Sequence, residues 1–350
     1  MVNKIFVFNA GSYTIKISLF EDSKKLFEKK FDRLKTKEDY RKAISKIRDI
    51  LKTIDFDIII HRVVHGGNLK NPARINSKIK RIIKNFSKFS PLHNEKELMI
   101  INFCEKNFPK KRQYAVFDTM FFVNLPKVSS TYPIPKELIE KYKIKKYGFH
   151  GLSHKSISRG LDGKTITIHL GQGASMTAIK NGKAIDTSMG LTPLEGLMMM
   201  TRSGSVDSGL VIFLQKQGYN TEVILNEKSG FKGLTNLSDF RDVIKNLKKK
   251  EVKLAYEIFT YSIIKYIGAY AAVLDGLDNL VFSGAIGEGS WKIRKDICKH
   301  LDFLGVKLDE KKNKNQKNQE IISSANSKVK VYVKQSREDE EMIREVLKIL

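Results

Sequence analysis

The chain predicts an α/β fold built from two similar domains, and three observations carry that expectation. Its 350 residues exceed the size at which a single hydrophobic core stops growing. An apolar strand that runs into a Gly/Ser turn and back out occurs twice, as KIFVF-NAGSYT-IKISLF at the start and as TITIHL-GQGAS-MTAIKNGKAID in the middle. Strand-like runs of this kind alternate with long segments of helical periodicity. The repetition suggests two domains facing a common cleft, each offering it a phosphate-sized turn.

Each element has a local reason. Thr36 can cap a helix with Asp39 three residues on, and apolar residues at helical spacing continue to Ile54. DIIIHRVV reads as a buried strand. Asn181-Gly182 is a two-residue hairpin signal between two strands. Glu251 to Leu277 is long and mostly apolar, a core helix. Leu308 to Glu320 is polar enough to read as a surface loop, and the tail after Ser336 as a closing helix.

Composition narrows the class. Hydrophobic residues at 41% and charged residues at 29% are ordinary for a soluble globular protein. No apolar run approaches the roughly 18 residues of a membrane span, and the N-terminus lacks a signal-peptide pattern. A cytoplasmic protein with no membrane partner is expected. Cys104 and Cys298 sit in charged, helix-like contexts and read as free thiols of a reducing compartment. The net charge of +26 has two readings. One is a nucleic-acid or membrane surface. The other is a general drift toward a lysine-rich composition, favoured because the lysines are dispersed and no aromatic residues interleave them as a stacking platform would require.

The chemistry is written around two arginines. Arg202 follows a solidly apolar stretch in TPLEGLMMMTRSG, and Arg62 lies within IIIHRVVHGG. A guanidinium leaving an apolar segment needs a partner, because an unpaired buried charge is costly. Together with the backbone nests of the glycine turns, the pair suggests an enzyme that clamps two anions and moves a phosphoryl group. Asp118, after the apolar strand of VFDTMF, is placed either to meet Mg²⁺ and orient a reacting group or to cap a helix. No His/Cys spacing fits a zinc site.

The segments NAGSYTIK, HRVVHGG, SPLHN, VFDTMF, YGFHGLSH, HLGQGAS, DTSMGLTPLEGLMMMTRSG, YIGAYAAVLDGLD, FSGAIGEG and SSANSKVKV resemble, in order, those of the acetate kinase family. The resemblance spans nearly the whole chain. It implies the sugar kinase and actin-like ATPase superfamily: two duplicated ribonuclease-H-like α/β domains with a cleft between them, working as a homodimer. The expected division is residues 1–121 plus 340–350, carrying much of the acyl-substrate side, and residues 122–339, binding nucleotide. The implied reaction joins ATP and acetate to give ADP and acetyl phosphate, reversibly, with Mg²⁺ (Mn²⁺ also suiting).

Residue by residue, the resemblance implies that Arg62 and Arg202 contact the carboxylate and the transferring phosphoryl group. It makes Asp118 the catalytic acid, which we read as positioning more than proton removal because a carboxylate nucleophile is already ionised. It makes His150 a donor to the phosphoryl group. Val64, Leu92, Phe149 and Pro193 match the acyl pocket, or are plain core. Asn9 and Glu338 match the metal site, with KQSREDEE leaving a register slip to Asp339 open. Lys16 would reach a nucleotide phosphate, or is an ordinary strand lysine. His169, Leu170, Gly171, Gln172 and Gly173 match one nucleotide loop, and Ala285, Ile286, Gly287, Glu288 and Gly289 a second. Asp239, Phe240 and Arg241 match an adenosine-contacting triplet. His61, His65, His93 and His154 read as structural. Departures from the family pattern fall at Phe122, Gln172, Ser205, Ser208, Ala285 and Gly289, which puts nucleotide affinity most in question. Alternative functions are a propionate kinase and a weakly active basic binding protein on the same fold.

Overall fold

The computed structural model describes residues 4–11, 14–22, 24–34, 36–316 and 320–350, leaving aside the side chains of Lys37, Pro91, Leu92 and Glu320. The chain forms two compact units. The first is Met1–Val123 with Arg337–Leu350, and the second is Asn124–Ser336. These divisions differ by a few residues from the expected 121/122 and 339/340. The difference matters at the second one, because the closing helix Glu338–Leu347 packs on the first sheet and carries Glu338 and Asp339 into the first unit.

The first unit holds strands β1 (Lys4–Ala10), β2 (Ile15–Glu21), β3 (Lys24–Phe31), β4 (Ile58–Val63), β5 (Ala73–Arg74) and β6 (Arg112–Phe117), in the order β3-β2-β1-β4-β6-β5. The second holds β7 (Lys164–Leu170), β8 (Ala174–Lys180), β9 (Lys183–Thr187), β10 (Asn279–Ser283), β11 (Glu320–Ile321) and β12 (Lys330–Val333), in the order β11-β12-β10-β7-β8-β9. Read from its other edge, the second sheet repeats the first strand for strand. An antiparallel three-strand meander is followed by two parallel strands and a short antiparallel edge. The duplication suggested by two turns therefore extends over both sheets.

The central strands are apolar along their length because both sheet faces are covered. Ile58, Ile59 and Ile60 of β4 are completely buried. Helix Lys37–Thr53 begins with the anticipated capping box: the Thr36 N–H donates to Asp39 Oδ2 at 2.8 Å and the Asp39 N–H to Thr36 Oγ1 at 3.1 Å. Its buried face is Tyr40, Ala43, Ile47 and Leu51, spaced by three and four residues, against Phe6, Phe8 and Ile59. Asn181 and Gly182 both take positive φ (48° and 75°), as a type I′ hairpin between β8 and β9 requires. The long helix is Lys250–Leu274, and it packs on β7 and β8. Strand β3, KKLFEKKF, had not been anticipated. It lies at a sheet edge and is largely exposed.

The segment from Leu308 to Glu320 is not simply a surface loop. Asp309 caps a short helix, Glu310–Asn315, in which Asn313 is buried. Asn313 is held there by Arg294, itself almost fully buried. The Arg294 Nε donates to Asn313 Oδ1 at 2.8 Å, Nη2 to the Asn313 carbonyl at 2.8 Å, and Nη1 to the carbonyls of Gly287 and Glu288 at 2.7 and 2.8 Å. Burial lowers the Arg294 pKa to about 10. Cys104 and Cys298 are unpaired and buried, and burial pushes both thiols up. Among the described residues no helix is long and apolar enough to cross a membrane.

Asn313→Ala should remove the side-chain acceptor of Arg294 Nε, keep the residue 313 carbonyl, and leave that one donor of a buried cation unmet. A loss of about 2–4 kcal/mol is expected, seen as a lower urea midpoint for the second unit. An unchanged midpoint would show that the three backbone carbonyls, of Gly287, Glu288 and residue 313, suffice.

Candidate active site

In the first unit the carboxyl ends of β1, β4 and β6 lie side by side, with Asn9, Arg62 and Asp118 at or just past them. Open α/β sheets place their ligands at such ends. The side chains of Arg62 and Asp118 are 11% and 1% exposed and pair in bidentate fashion, Nη2 to Oδ2 at 2.7 Å and Nε to Oδ1 at 3.3 Å. Arg62 Nη1 donates to Asn9 Oδ1 at 3.0 Å and lies 3.4 Å from Glu338 Oε2. The Asn9 amide donates in turn to Glu338 Oε2 at 2.8 Å and to Asp339 Oδ1 at 3.0 Å. Burial works against the Arg62 charge, but Asp118 and Glu338 outweigh it and its pKa is raised.

Asp339 is otherwise engaged: its Oδ2 accepts from Ser18 Oγ at 2.8 Å and meets Lys16 Nζ at 2.9 Å. The two neighbouring acids thus have different ion-pair partners, although both accept from Asn9. Glu338 faces Arg62, and Asp339 holds Lys16. Asn9, Asp118 and Glu338 offer only oxygen ligands, the donor set of a hard divalent cation such as Mg²⁺. Among the described residues no cluster of three His, Cys, Asp or Glu side chains is placed to hold a metal. Substrate oxygens and water would complete the shell, as is usual for Mg²⁺.

In the second unit His150 opens helix Gly151–Ser158 in the left-handed region, φ 55°. Its ring centroid is 4.7 Å from that of His169. Nδ1 of His150 is 2.8 Å from Ser175 Oγ, and Nδ1 of His169 is 2.8 Å from Ser153 Oγ. A Cβ on Gly173 would fall 3.0 Å from Arg202 Nη2 and 3.2 Å from His150 Cε1. The turn Gly171–Gln172–Gly173 therefore borders the same space as Arg202 and His150, and a side chain at its last position would crowd both. Arg202 Nη1 donates to the Pro193 carbonyl at 2.8 Å. Gln172 braces the turn through its Nε2, which donates to the Ser238 carbonyl at 3.3 Å.

The second glycine segment is helix Gly284–Gly289, spanning Ala285, Ile286, Gly287 and Glu288. Gly284 has φ +78°, and a Cβ there would lie 2.5 Å from the Leu170 carbonyl, so the two glycine loops touch. Glu288 Oε1 accepts from the Gly284 N–H at 2.9 Å and from Ser283 Oγ at 3.3 Å, and burial raises its pKa.

The remaining expected residues are placed as follows. Val64 and Phe149 are buried, Pro193 is half-buried, and Leu92 has a helical backbone but lies outside the described side chains. Asp239 caps helix Phe240–Lys245 and pairs with Arg241, which lowers its pKa to about 2. Phe240 is buried among Phe231, Tyr256 and Phe259. Of the substituted positions, Ser205 Oγ accepts from the Gly196 N–H at 3.0 Å, bracing the turn after Arg202, and Phe122 is completely buried. His61 Nε2 donates to Gln113 Oε1 at 2.7 Å, and burial lowers the His61 pKa to about 4.

Glu97 had escaped notice. In NEKEL it reads as one more surface charge, and nothing local marks it. It is 2% exposed, its Oε2 accepts from the Val64 N–H at 3.0 Å, and its Oε1 makes no hydrogen bond among the described residues. Burial pushes its carboxyl up to about 8.

Comparison with known proteins follows the same lines. The acetokinase family pattern matches residues 24–345. The chain is 43% identical over 306 residues to an acetate kinase of Carboxydothermus hydrogenoformans, covering 83% of this chain and 77% of that one. Its fold matches an acetate kinase of Porphyromonas gingivalis with TM-score 0.89 and 34% identity, covering 99% of each chain. It also matches a propionate kinase of Francisella tularensis with TM-score 0.86 and 34% identity, covering 98% of each.

Because the folded pKa of Glu97 lies above the usual 4.5, the folded state binds the extra proton between the two values. Its contribution to stability is full below about pH 4.5 and is lost as pH rises toward about 8. Glu97→Gln should flatten that slope and leave the protein more stable than wild type at alkaline pH in urea titrations. An unaltered pH profile would mean that Glu97 ionises normally.

Proposed function

The chain belongs to the acetokinase family and is a kinase with a carboxyl group as acceptor, and on that premise we propose how its residues divide the work. Acetate takes the γ-phosphoryl group of ATP directly, giving acetyl phosphate and ADP, and the reverse reaction uses the same groups. The observation that supports this reading is the buried network of Arg62 with Asp118, Asn9 and Glu338 at three adjacent strand ends. A carboxylate nucleophile needs no base. It needs positioning and neutralisation of charge on the moving phosphoryl group.

Asp118 fixes the plane of the Arg62 guanidinium before substrate arrives, so little side-chain freedom remains to be lost on binding. Arg62 orients the carboxylate, and Arg202 and His150 neutralise the phosphoryl oxygens. Asn9 and Glu338 would hold Mg²⁺, which supplies further neutralisation of phosphate charge when bound. The turns at His169–Gly173 and Ala285–Gly289 cradle nucleotide phosphates through backbone N–H groups, with Asp239, Phe240 and Arg241 on the adenosine side. Lys16, which pairs with Asp339, is the residue assigned to a nucleotide phosphate. The resemblance assigns Val64 and Leu92 of the first unit and Phe149 and Pro193 of the second to the acyl group. A cytoplasmic homodimer belongs to the same reading.

Acyl phosphate formation by the purified protein with ATP, Mg²⁺ and acetate, propionate or butyrate tests it. Acetate should be best. Propionate should be poorer by about 1–3 kcal/mol in kcat/KM, the scale of one methylene in an apolar pocket. Absence of product with every acid, alongside nucleic-acid binding that falls steeply with salt, would support the basic binding protein instead. Arg202→Ala should lose at least roughly 10²-fold in kcat, and near-normal turnover would remove Arg202 from the mechanism.

A further inference from the structure

Behind His150 runs a buried line of hydrogen-bonding groups. Its Nδ1 is 2.8 Å from Ser175 Oγ, Ser175 Oγ is 2.8 Å from His154 Nε2, and His154 Nδ1 is 2.8 Å from Thr167 Oγ1. Thr167 Oγ1 donates to the Thr177 carbonyl at 3.4 Å. Ser175, His154 and Thr167 are all at zero exposure. The elements responsible are β7, which supplies Thr167, β8, which supplies Ser175, and helix Gly151–Ser158, which lays His154 across both.

Each hydroxyl has one proton, and this sets a direction. Thr167 gives its proton to the Thr177 carbonyl, so toward His154 it acts as acceptor. His154 therefore carries its proton on Nδ1. Burial, and then His169, hold this ring neutral, so its Nε2 is an acceptor. The Ser175 hydroxyl donates to that nitrogen and turns its lone pairs toward His150.

We propose that Ser175, His154 and Thr167 act as a positioning chain that fixes the His150 proton on Nδ1. Neutral His150 then presents a lone pair at Nε2, and the form that donates to a phosphoryl oxygen is the imidazolium. Both N–H groups of that cation are engaged, one by Ser175 and one by the anion. Ser175 is thereby a positioning residue for the transfer. This rests on the reading of His150 as a phosphoryl donor.

The tautomers are read directly by two-bond ¹H–¹⁵N correlation spectra of the protein labelled in histidine, at a pH where the His150 ring is neutral. Wild-type protein should show Nδ1–H for both His150 and His154, and Thr167→Val should move His150 toward Nε2–H. Ser175→Ala should lower kcat by about 10- to 100-fold, the usual scale for a supporting hydrogen bond, with KM for ATP and acetate little changed. Ser175→Thr, which keeps the hydroxyl, should restore turnover. An Nε2–H tautomer for wild-type His150, or full turnover in Ser175→Ala, would overturn the chain. If His150→Ala itself stays active, the donor reading of His150 has failed. If His150→Ala is dead and Ser175→Ala is not, the positioning chain alone has failed. The wild-type spectrum decides even if a variant does not fold.

Discussion

The first unit depends on the pairing of one guanidinium. Arg62 leaves the middle of a buried sheet, and its charge is tolerated only because Asp118, Asn9 and Glu338 converge on it from a neighbouring strand end, a third strand and the closing helix. A desolvated ion pair of this kind adds little net stability compared with apolar packing, yet losing one partner strands the other. Its value is geometric. It ties the last segment of the chain to the first and holds four polar side chains in fixed orientations where a substrate anion would otherwise have to organise them.

The two sheets show how one topology is put to two uses. The strand registers equate Asn9 with His169, Lys16 with Ser175 and Arg62 with Ser283. At equivalent strand ends the first unit has charges, and the second has imidazole and hydroxyl groups beside glycine turns. Gly173 lies against Arg202 and His150, and Gly284 against the Leu170 carbonyl. The same duplicated framework thus carries a buried charge network in one unit and a pair of touching glycine turns in the other.

Much of this was readable from residue order. Buried strands announce themselves as apolar runs, the Thr36–Asp39 box marks a helix start, and Asn181-Gly182 marks a hairpin, because each is a local rule. Arg62 and Arg202 stood out because charge adjoining a long apolar run is rare. What stayed hidden depends on contacts distant in sequence. Strand β3 has no alternation to read, since neither of its faces is strongly buried. Asn313 looks like any loop polar residue until Arg294 reaches it. Glu97 sits among Glu95 and Lys96, and only the packing of its helix against β4 distinguishes it from them. That Glu338 and Asp339 take different partners depends on the positions of Lys16 and Ser18.

The exposed edge strand has a consequence for behaviour at high concentration. A terminal strand offers unpaired N–H and C=O groups that another chain could extend into a continuous sheet. Strand β3 carries Lys24, Lys25, Lys29 and Lys30 along that border, with Glu28 paired to Lys25. Two such edges brought together would set like charges against each other at every approach. In a chain that already carries +26, the lysines at this border guard against runaway strand addition, and that guard weakens as added salt screens it.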